Sequence, residues 1–355
     1  MTSPGRTELL TLGGVLTARE AEVTVTALLA LQRPDGAIPW FRGHHLDPWD
    51  HVEAAMALDV AGEHRAAEAA YEWLATHQLP DGSWYSAYAD GDAARPTDLG
   101  RESNFCAYVA VGVWHHYLST RDEAFLDRMW PVVSRALDYV LELQLPGGQF
   151  AWRRDADGGL ADGALLTGSS SVYQALRCAL ALAEHRRQPQ PDWELATGLL
   201  GHAIRRHPER FLDKGRYSMD WYYPVLGGAL RGPEATARLD GRWDEFVVPG
   251  LGVRCVSPNP WVTGGESAEL ALALWANGDP GRARSVLAWM RHLRHPGGLY
   301  WTGYVFADEA VWPEELTSWT AGSVLLAVAA LGGDEATVAV FGGERLPQGL
   351  DPDCC

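Results

Sequence analysis

The 355-residue chain carries 29 Lys+Arg against 46 Asp+Glu, a formal net charge of −17, which argues against nucleic acid and against an anionic membrane surface as partners. Hydrophobic residues at 47% and charged residues at 21% are those of a folded globular protein, not of a disordered acidic chain. The longest apolar stretch, Val324–Leu331, is far too short to span a bilayer.

The elements alternate in one pattern from end to end. Ala18–Gln32 is amphipathic, with Val23, Leu28, Leu29 and Leu31 among its apolar positions, and stops at the turn Gln32-Arg-Pro-Asp-Gly36. A loop bearing Trp40, Phe41, His44 and His45 leads to Asp47-Pro48, an N-cap acid followed by proline at the first helical position. Asp50–Ala61 is small and apolar, the composition of a helix packed on several sides. His64–Gln78 then ends in Gln78-Leu-Pro-Asp-Gly-Ser-Trp84, and a polar, aromatic loop containing Tyr88 runs to Glu102.

Further pairs follow: Asn104–Leu118 with Glu123–Gln144, Gly168–Glu184 with Trp193–His207, and Trp221–Leu230 with a short helix from Glu234 to about Asp240. Gly264–Trp275 pairs with Gly281–Leu293, and Glu314–Leu331 comes last. About twelve helices with alternating short and long connections predict an all-α, antiparallel α-hairpin array, with no period-two strand series. First and last helices are both apolar enough to pack on each other, which favours closure over an open solenoid. The expected fold is an (α/α)6 toroid over 18–333, with an N-terminal segment 1–17 and a C-terminal tail 334–355.

Five cysteines without paired spacing, and a Met1–Arg19 segment lacking a signal-peptide layout, predict reduced thiols and a cytoplasmic location. Cys106 and Cys178 read as core, and Cys354-Cys355 as part of a solvated tail.

If each long loop joins an outer helix to the next inner one, all six inner N-termini share one mouth. They begin near Asp47, Glu102, Ser169, Asp220, Glu266 and Glu314, and the loops above them hold most of the sixteen tryptophans. Acids and aromatics around one cavity suit a small-molecule substrate that reacts through a cation. Glu102 ranks first among the candidate catalytic acids, because Asn104 can cap its helix. Asp220, set between Ser218 and Trp221-Tyr222-Tyr223, ranks second. Asp50, Glu266 and Glu315 complete the acids, although Asp47 and Asp50 also fit helix caps and Thr263-Gly-Gly-Glu266 reads as a capping box.

The expected substrate-binding residues are Trp40, Phe41, His45 and Trp49 on the first loop, Trp84 and Tyr88 on the second, and Trp152 on the third. Trp221 and Tyr222 stand on the fourth, with Trp261, Trp301, Tyr304 and Trp312 on the last two. The cluster of His44, His45, Asp47, Asp50 and His51 matches no standard metal spacing. Adjacent His115 and His116 read as packing or surface, and neither a metal nor a cofactor is expected. Ser169-Ser170-Ser171 reads as a cap, since no strand–turn–helix context for a nucleophile precedes it.

Gln78-Leu-Pro-Asp-Gly82-Ser-Trp84 resembles the Q-x-x-x-G-x-W repeat of the prenyltransferase and squalene-cyclase superfamily. Degenerate copies lie at Gln32…Gly36…Trp40, at Gln144…Gly148 and at Pro296-Gly-Gly-Leu-Tyr-Trp301. The resemblance implies an α/α toroid that protonates an isoprenoid-like substrate and guides a carbocation. Its D-x-D-D acid motif is replaced by Asp47-Pro-Trp-Asp50, and D-D-x-x-D is absent. Glu314-Glu315-Leu-Thr-Ser-Trp-Thr-Ala-Gly is similar, more weakly, to the last inner helix of six-hairpin, glucoamylase-like glycosidases, which implies two carboxylates acting on a sugar. The terpenoid cyclase-type reading is placed first, a glycosidase second, and a non-catalytic binding toroid third.

Overall fold

The computed structural model describes residues 10–91 and 95–350. Its inner helices are Pro48–Val60, Val109–Thr120 (with the short Ser103–Ala107 ahead of it), Leu166–Arg186, Ser218–Leu226, Gly264–Ala276 and Ser318–Gly332. Each is followed or preceded by an outer partner: Ala18–Leu31, His64–His77, Glu123–Leu141, Pro191–Arg206, Gly232–Gly241 and Pro280–Trp289.

Burial separates the two rings. Every residue of Pro48–Val60 is buried, as is every residue from Ser318 to Ala330, which is how a helix reads when it has neighbours all round. The outer helix His64–His77 buries only Ala67, Ala70, Tyr71, Trp73 and Leu74, one stripe. Successive inner helices pack on one another, and Ser318–Gly332 packs back on Pro48–Val60. The ring is closed, and the (α/α)6 toroid stands.

The glutamine turns hold the outer ring. Gln32 Nε2 donates to Gly36 O and to Ala66 O at 3.0 and 2.8 Å. Gln78 Nε2 donates to Gly82 O and Val132 O, both at 2.9 Å, and Gln144 Nε2 to Gly148 O and Ala196 O. Each amide thus ties its own turn to the next outer helix. Gly298 performs the corresponding contact at the closure. Its φ is +103°, a Cβ there would lie 2.4 Å from Val23 O, and Thr24 Oγ1 donates to its carbonyl at 2.7 Å. Gly298→Ala is expected to lower stability by about 2–4 kcal/mol, combining left-handed strain with a backbone clash. Chemical denaturation measures it.

Two expectations are corrected. Short antiparallel strands do form above the mouth, in a sheet of 45–46, 87–89 and 96–98 and a five-stranded sheet of 310–311, 303–305, 261–263, 252–254 and 247–248. They are two or three residues long, too short for a period of two to show. The segment expected as a tail packs on the toroid as far as Leu350. The buried Arg177 guanidinium donates to the carbonyls of Gly343, Leu346 and Pro347, and Leu350 N donates to Glu194 O. Of the segment ahead of Ala18, residues 10–17 are described, and Leu10, Leu12, Val15 and Leu16 are buried. Cys354-Cys355 lies outside the described residues. Among the described residues, no single helix is long and apolar enough to cross a membrane.

Candidate active site

Because the chain alternates strictly between rings, the N-termini of the inner helices gather at one end, and their first turns carry the acids. Asp47 caps Pro48–Val60: its Oδ1 accepts from Trp49 N at 3.0 Å and Asp50 N at 2.9 Å. Burial opposes its charge, but hydrogen bonds from His45 and Asp50 hold its pKa below the ordinary value. Asp50 moves the other way. Burial first, then the neighbouring Asp47 charge and the carboxyls of Glu53 and Glu269, push its pKa well above the usual range. The result is a split pair, one anion beside one carboxylic acid, which is the arrangement that yields a proton donor at neutral pH.

Below this pair lie two acids that the sequence analysis did not single out. Glu53 is raised to about 8 by burial; the Tyr108 hydroxyl donates to its Oε1 at 3.0 Å and its Oε2 has no partner. Glu269 accepts from the hydroxyls of Tyr222 and of Tyr223, the latter at 2.7 Å, and burial together with Glu53 drives its pKa well up. Glu53 and Glu269 each sit three residues after a mouth acid, Asp50 and Glu266, on the same helical face. That repeated spacing was the available signal.

Glu266 opens the helix Gly264–Ala276. The expected capping box does not form: Thr263 makes no side-chain cap, its hydroxyl is unpartnered, and Glu266 Oε2 is buried without a partner. The first turn is instead shaped by Trp319, whose ring lies where a Cβ on Gly265 would stand, at 2.4 Å. Trp319 also stacks on Trp40 (centroids 5.6 Å apart) and meets Trp49 edge-on at 6.2 Å. The helix carrying Trp319 packs between the helices of Asp50 and Glu266, so that helix stands between these two acids in the ring.

The remaining expected acids differ in kind. Glu102 makes no cap hydrogen bond; burial, and then the Asp47 charge, raise it to about 7 against the pull of Arg153. Asp220 accepts from Thr167 Oγ1 at 2.8 Å and is raised by burial. It borders a cavity of about 330 Å³ with Leu166, Phe211, Lys214 and Arg238, three helices round the ring from Asp50. Glu315 lies ahead of its helix, where its Oε2 accepts from Trp40 Nε1 at 3.3 Å and so orients that indole.

Of the expected substrate-binding residues, the structure gathers Trp40, His45 and Trp49 beside Asp47 and Asp50; Trp40 stacks on His45 at 5.9 Å, and Trp49 meets Tyr108 at a tilt, 5.1 Å between centroids. Phe41 stacks on His44 on the same loop. Four others are structural. Trp84 is fully buried with Nε1 donating to Leu74 O. Tyr88 is buried and its hydroxyl accepts from Tyr85 N. Trp221 donates to Arg238 O and stacks on Phe246, and Tyr222 is committed to Glu269. Trp152 lies against Arg153, Trp301 against His295 and Tyr304 against His292. Trp261 and Trp312 form an edge-on pair, with Trp312 57% exposed. Trp319 and Tyr108, both at the mouth, were missed: Tyr108 lies in the apolar run Cys106–Val111, and Trp319 lies inside the last inner helix rather than on the loop before it. His115 and His116 are fully buried, not on the surface.

No family model matches the chain. It is 54% identical over 338 residues, 95% of its length and 93% of the relative's, to an MMP endo-(1,4)-3-O-methyl-alpha-D-mannosidase of Mycolicibacterium hassiacum. It is 25% identical over 194 residues, 52% of this chain and 28% of the relative, to an uncharacterized glycosyl hydrolase of Methanocaldococcus jannaschii. Among solved structures, a wild-type glycosidase superposes with a TM-score of 0.70 at 16% identity, covering 94% of this chain and 99% of that one. A D-mannose isomerase does so at 0.65 and 12% identity, over 88% and 96%. At these identities the structures establish the fold alone. The terpenoid cyclase-type reading, and with it the isoprenoid substrate, is overturned by the mannosidase relative. The repeat that suggested it is a turn device: its glutamine binds backbone carbonyls and its tryptophan is core, whatever reaction the toroid carries.

Proposed function

The chain belongs to the glycosidase family of the Mycolicibacterium hassiacum enzyme, and from this premise we propose that it hydrolyses internal α-(1,4) bonds between 3-O-methylmannose residues. The observation that carries the mechanism is the split at the mouth. Asp50 is kept protonated by burial and by anionic Asp47, while Glu266, beyond the helix of Trp319 in the ring, offers an oxygen that no protein group occupies.

In this reading Asp50 gives its proton to the glycosidic oxygen as the bond to the anomeric carbon breaks. Glu266 accepts a proton from the water whose oxygen adds to that carbon. Two carboxyls then serve one oxocarbenium-like transition state, one as acid and one as base. Trp40, Trp49 and Trp319 give the sugar apolar faces, and an O-methyl group, which donates no hydrogen bond, suits indole walls.

A panel of an α-(1,4)-linked 3-O-methylmannose oligosaccharide, its unmethylated counterpart and an α-(1,4)-glucan tests the specificity, with products sized by mass spectrometry. Shorter methylated oligosaccharides are expected, with slower cleavage of the unmethylated chain. Cleavage of the glucan alone would overturn the substrate.

Glu102 gives a separate pH signature. Protonated, it can donate to a sugar hydroxyl; ionised, it cannot, and its pKa of about 7 places that loss at neutrality. KM is therefore expected to rise as pH increases through 7 in the natural enzyme. In Glu102→Gln, whose amide keeps its donor, KM should stay flat over the same range.

A further inference from the structure

We infer that the face of the toroid opposite the mouth is a binding site for a single divalent transition-metal ion of zinc's chemistry, held by Asp59, His64 and His116. Asp59 is eleven residues beyond Pro48 on its helix, roughly 16 Å along the axis from the mouth. The site is therefore remote from the glycosidase chemistry and does not depend on it.

Three elements converge there. Asp59 ends an inner helix, His115 and His116 lie on the next inner helix, and His64 opens the outer helix between them. Asp59 Oδ1 is 3.0 Å from His64 Nδ1 and 2.8 Å from His116 Nδ1, and one ligand atom from each of the three lies within 4.8 Å of the others. Zn–N and Zn–O bonds near 2.0–2.1 Å require tetrahedral ligand separations of roughly 3.4 Å. A few tenths of an ångström of spreading would seat the ion. One carboxylate with imidazole nitrogens is a zinc-type donor set.

The hydrogen bonds around the cluster supply an independent observation. The Thr337 hydroxyl donates to Asp334 Oδ1 at 2.7 Å, so it accepts from His115 Nε2 at 3.1 Å. That fixes the proton of His115 on Nε2 and leaves Nδ1 as a bare lone pair. This Nδ1 is fully buried, has no hydrogen-bond partner and faces Asp59 Oδ2 at 4.0 Å. A lone pair opposed to a carboxylate oxygen calls for a positive charge between them, which either a second ring proton or a metal ion supplies. His116 repeats the situation on its far side, where buried Nε2 is unpartnered and lies 3.7 Å from Glu68 Oε1. Metal at His116 Nδ1 would move the ring proton to Nε2 and aim it at Glu68, the carboxylate backing that orients metal-binding histidines. One ion thus relieves both conflicts.

The test uses the full chain, stripped with a chelator and titrated with zinc chloride in a calorimeter. One zinc per chain is expected, with a rise in Tm, since a ligand of the folded state stabilises it. Cobalt(II) in its place should give the visible absorption of a tetrahedral nitrogen–oxygen site. His64→Gln is expected to weaken zinc binding by about 100-fold, and His116→Gln by at least as much, each variant's rise in Tm being read against its own zinc-free Tm. Absence of stoichiometric uptake by the natural chain would overturn the inference, leaving a proton-sharing cluster only. Unaltered binding by both variants would also overturn it, placing the ion elsewhere, as would an octahedral cobalt spectrum.

Discussion

Asp50→Asn and Glu266→Gln are each expected to lower kcat on the methylated oligosaccharide by about 10³-fold or more, the range carried by a positioned acid or base. The Tm of Glu266→Gln should stay close to that of the natural enzyme, because the replacement is isosteric, and that of Asp50→Asn should not fall, because the amide removes an acid whose ionisation favours the unfolded chain. Combining them should cost little beyond the worse single variant, since an acid and base that act in one step are not additive. Asp220→Asn serves as the contrast. Its carboxylate is engaged by Thr167 and lies across the ring, so kcat should fall by less than about 10-fold. Steady-state kinetics on the four proteins decides it: activity surviving in Glu266→Gln would remove the base, and loss confined to Asp220→Asn would relocate the site.

Stability should fall as pH rises from 6.5 to 8, and Glu53→Gln should flatten that fall. The sign follows from proton counts. Unfolded, Glu53 is ionised above about pH 4.3; folded, it holds its proton up to about 8. In between, the native state binds more protons than the unfolded one, so the unfolding free energy declines with pH by about 1.4 kcal/mol per unit for each such group. Asp50 and Glu269, both raised, act in the same direction. Below pH 6.5 the buried His51 opposes them. Burial lowers its pKa to about 4, so the unfolded chain takes up its proton first, and the contribution of His51 to stability rises with pH through that range. The clean window is therefore above 6.5. Urea denaturation at pH 6.5 and 8 measures it; a slope unchanged in Glu53→Gln would contradict the protonated state assigned to that acid.

The fold was legible because its punctuation is local. Asp47-Pro48 writes a helix start and Gln78-Leu-Pro-Asp-Gly82 a helix stop, and both operate in the structure as written. The mouth was legible as a consequence of alternation, which puts first-turn acids of different helices together. What sequence could not reveal was which acids had been left free. Thr263 and Glu266 have the spacing of a capping box, yet the box does not form: the Thr263 hydroxyl and Glu266 Oε2 are both without a partner, and the Trp319 ring fills the space beside that turn. Glu53 and Glu269 lie within apolar helices, where a lone glutamate gives no sign of the tyrosine it will meet across the axis. The chemistry was misassigned for a related reason: the glutamine repeat reports how outer helices are joined, and toroids joined alike can protonate an alkene or a glycosidic oxygen.

The most direct measurement is time-resolved proton NMR of a digest of an α-(1,4)-linked 3-O-methylmannose oligosaccharide. Hydrolysis with Asp50 as acid and Glu266 as base toward water inverts the anomeric carbon. New reducing ends should then appear first as the β anomer and relax to the equilibrium mixture. Reducing ends that appear first as the α anomer, or an oligosaccharide left intact by an enzyme shown to be folded, would contradict the account.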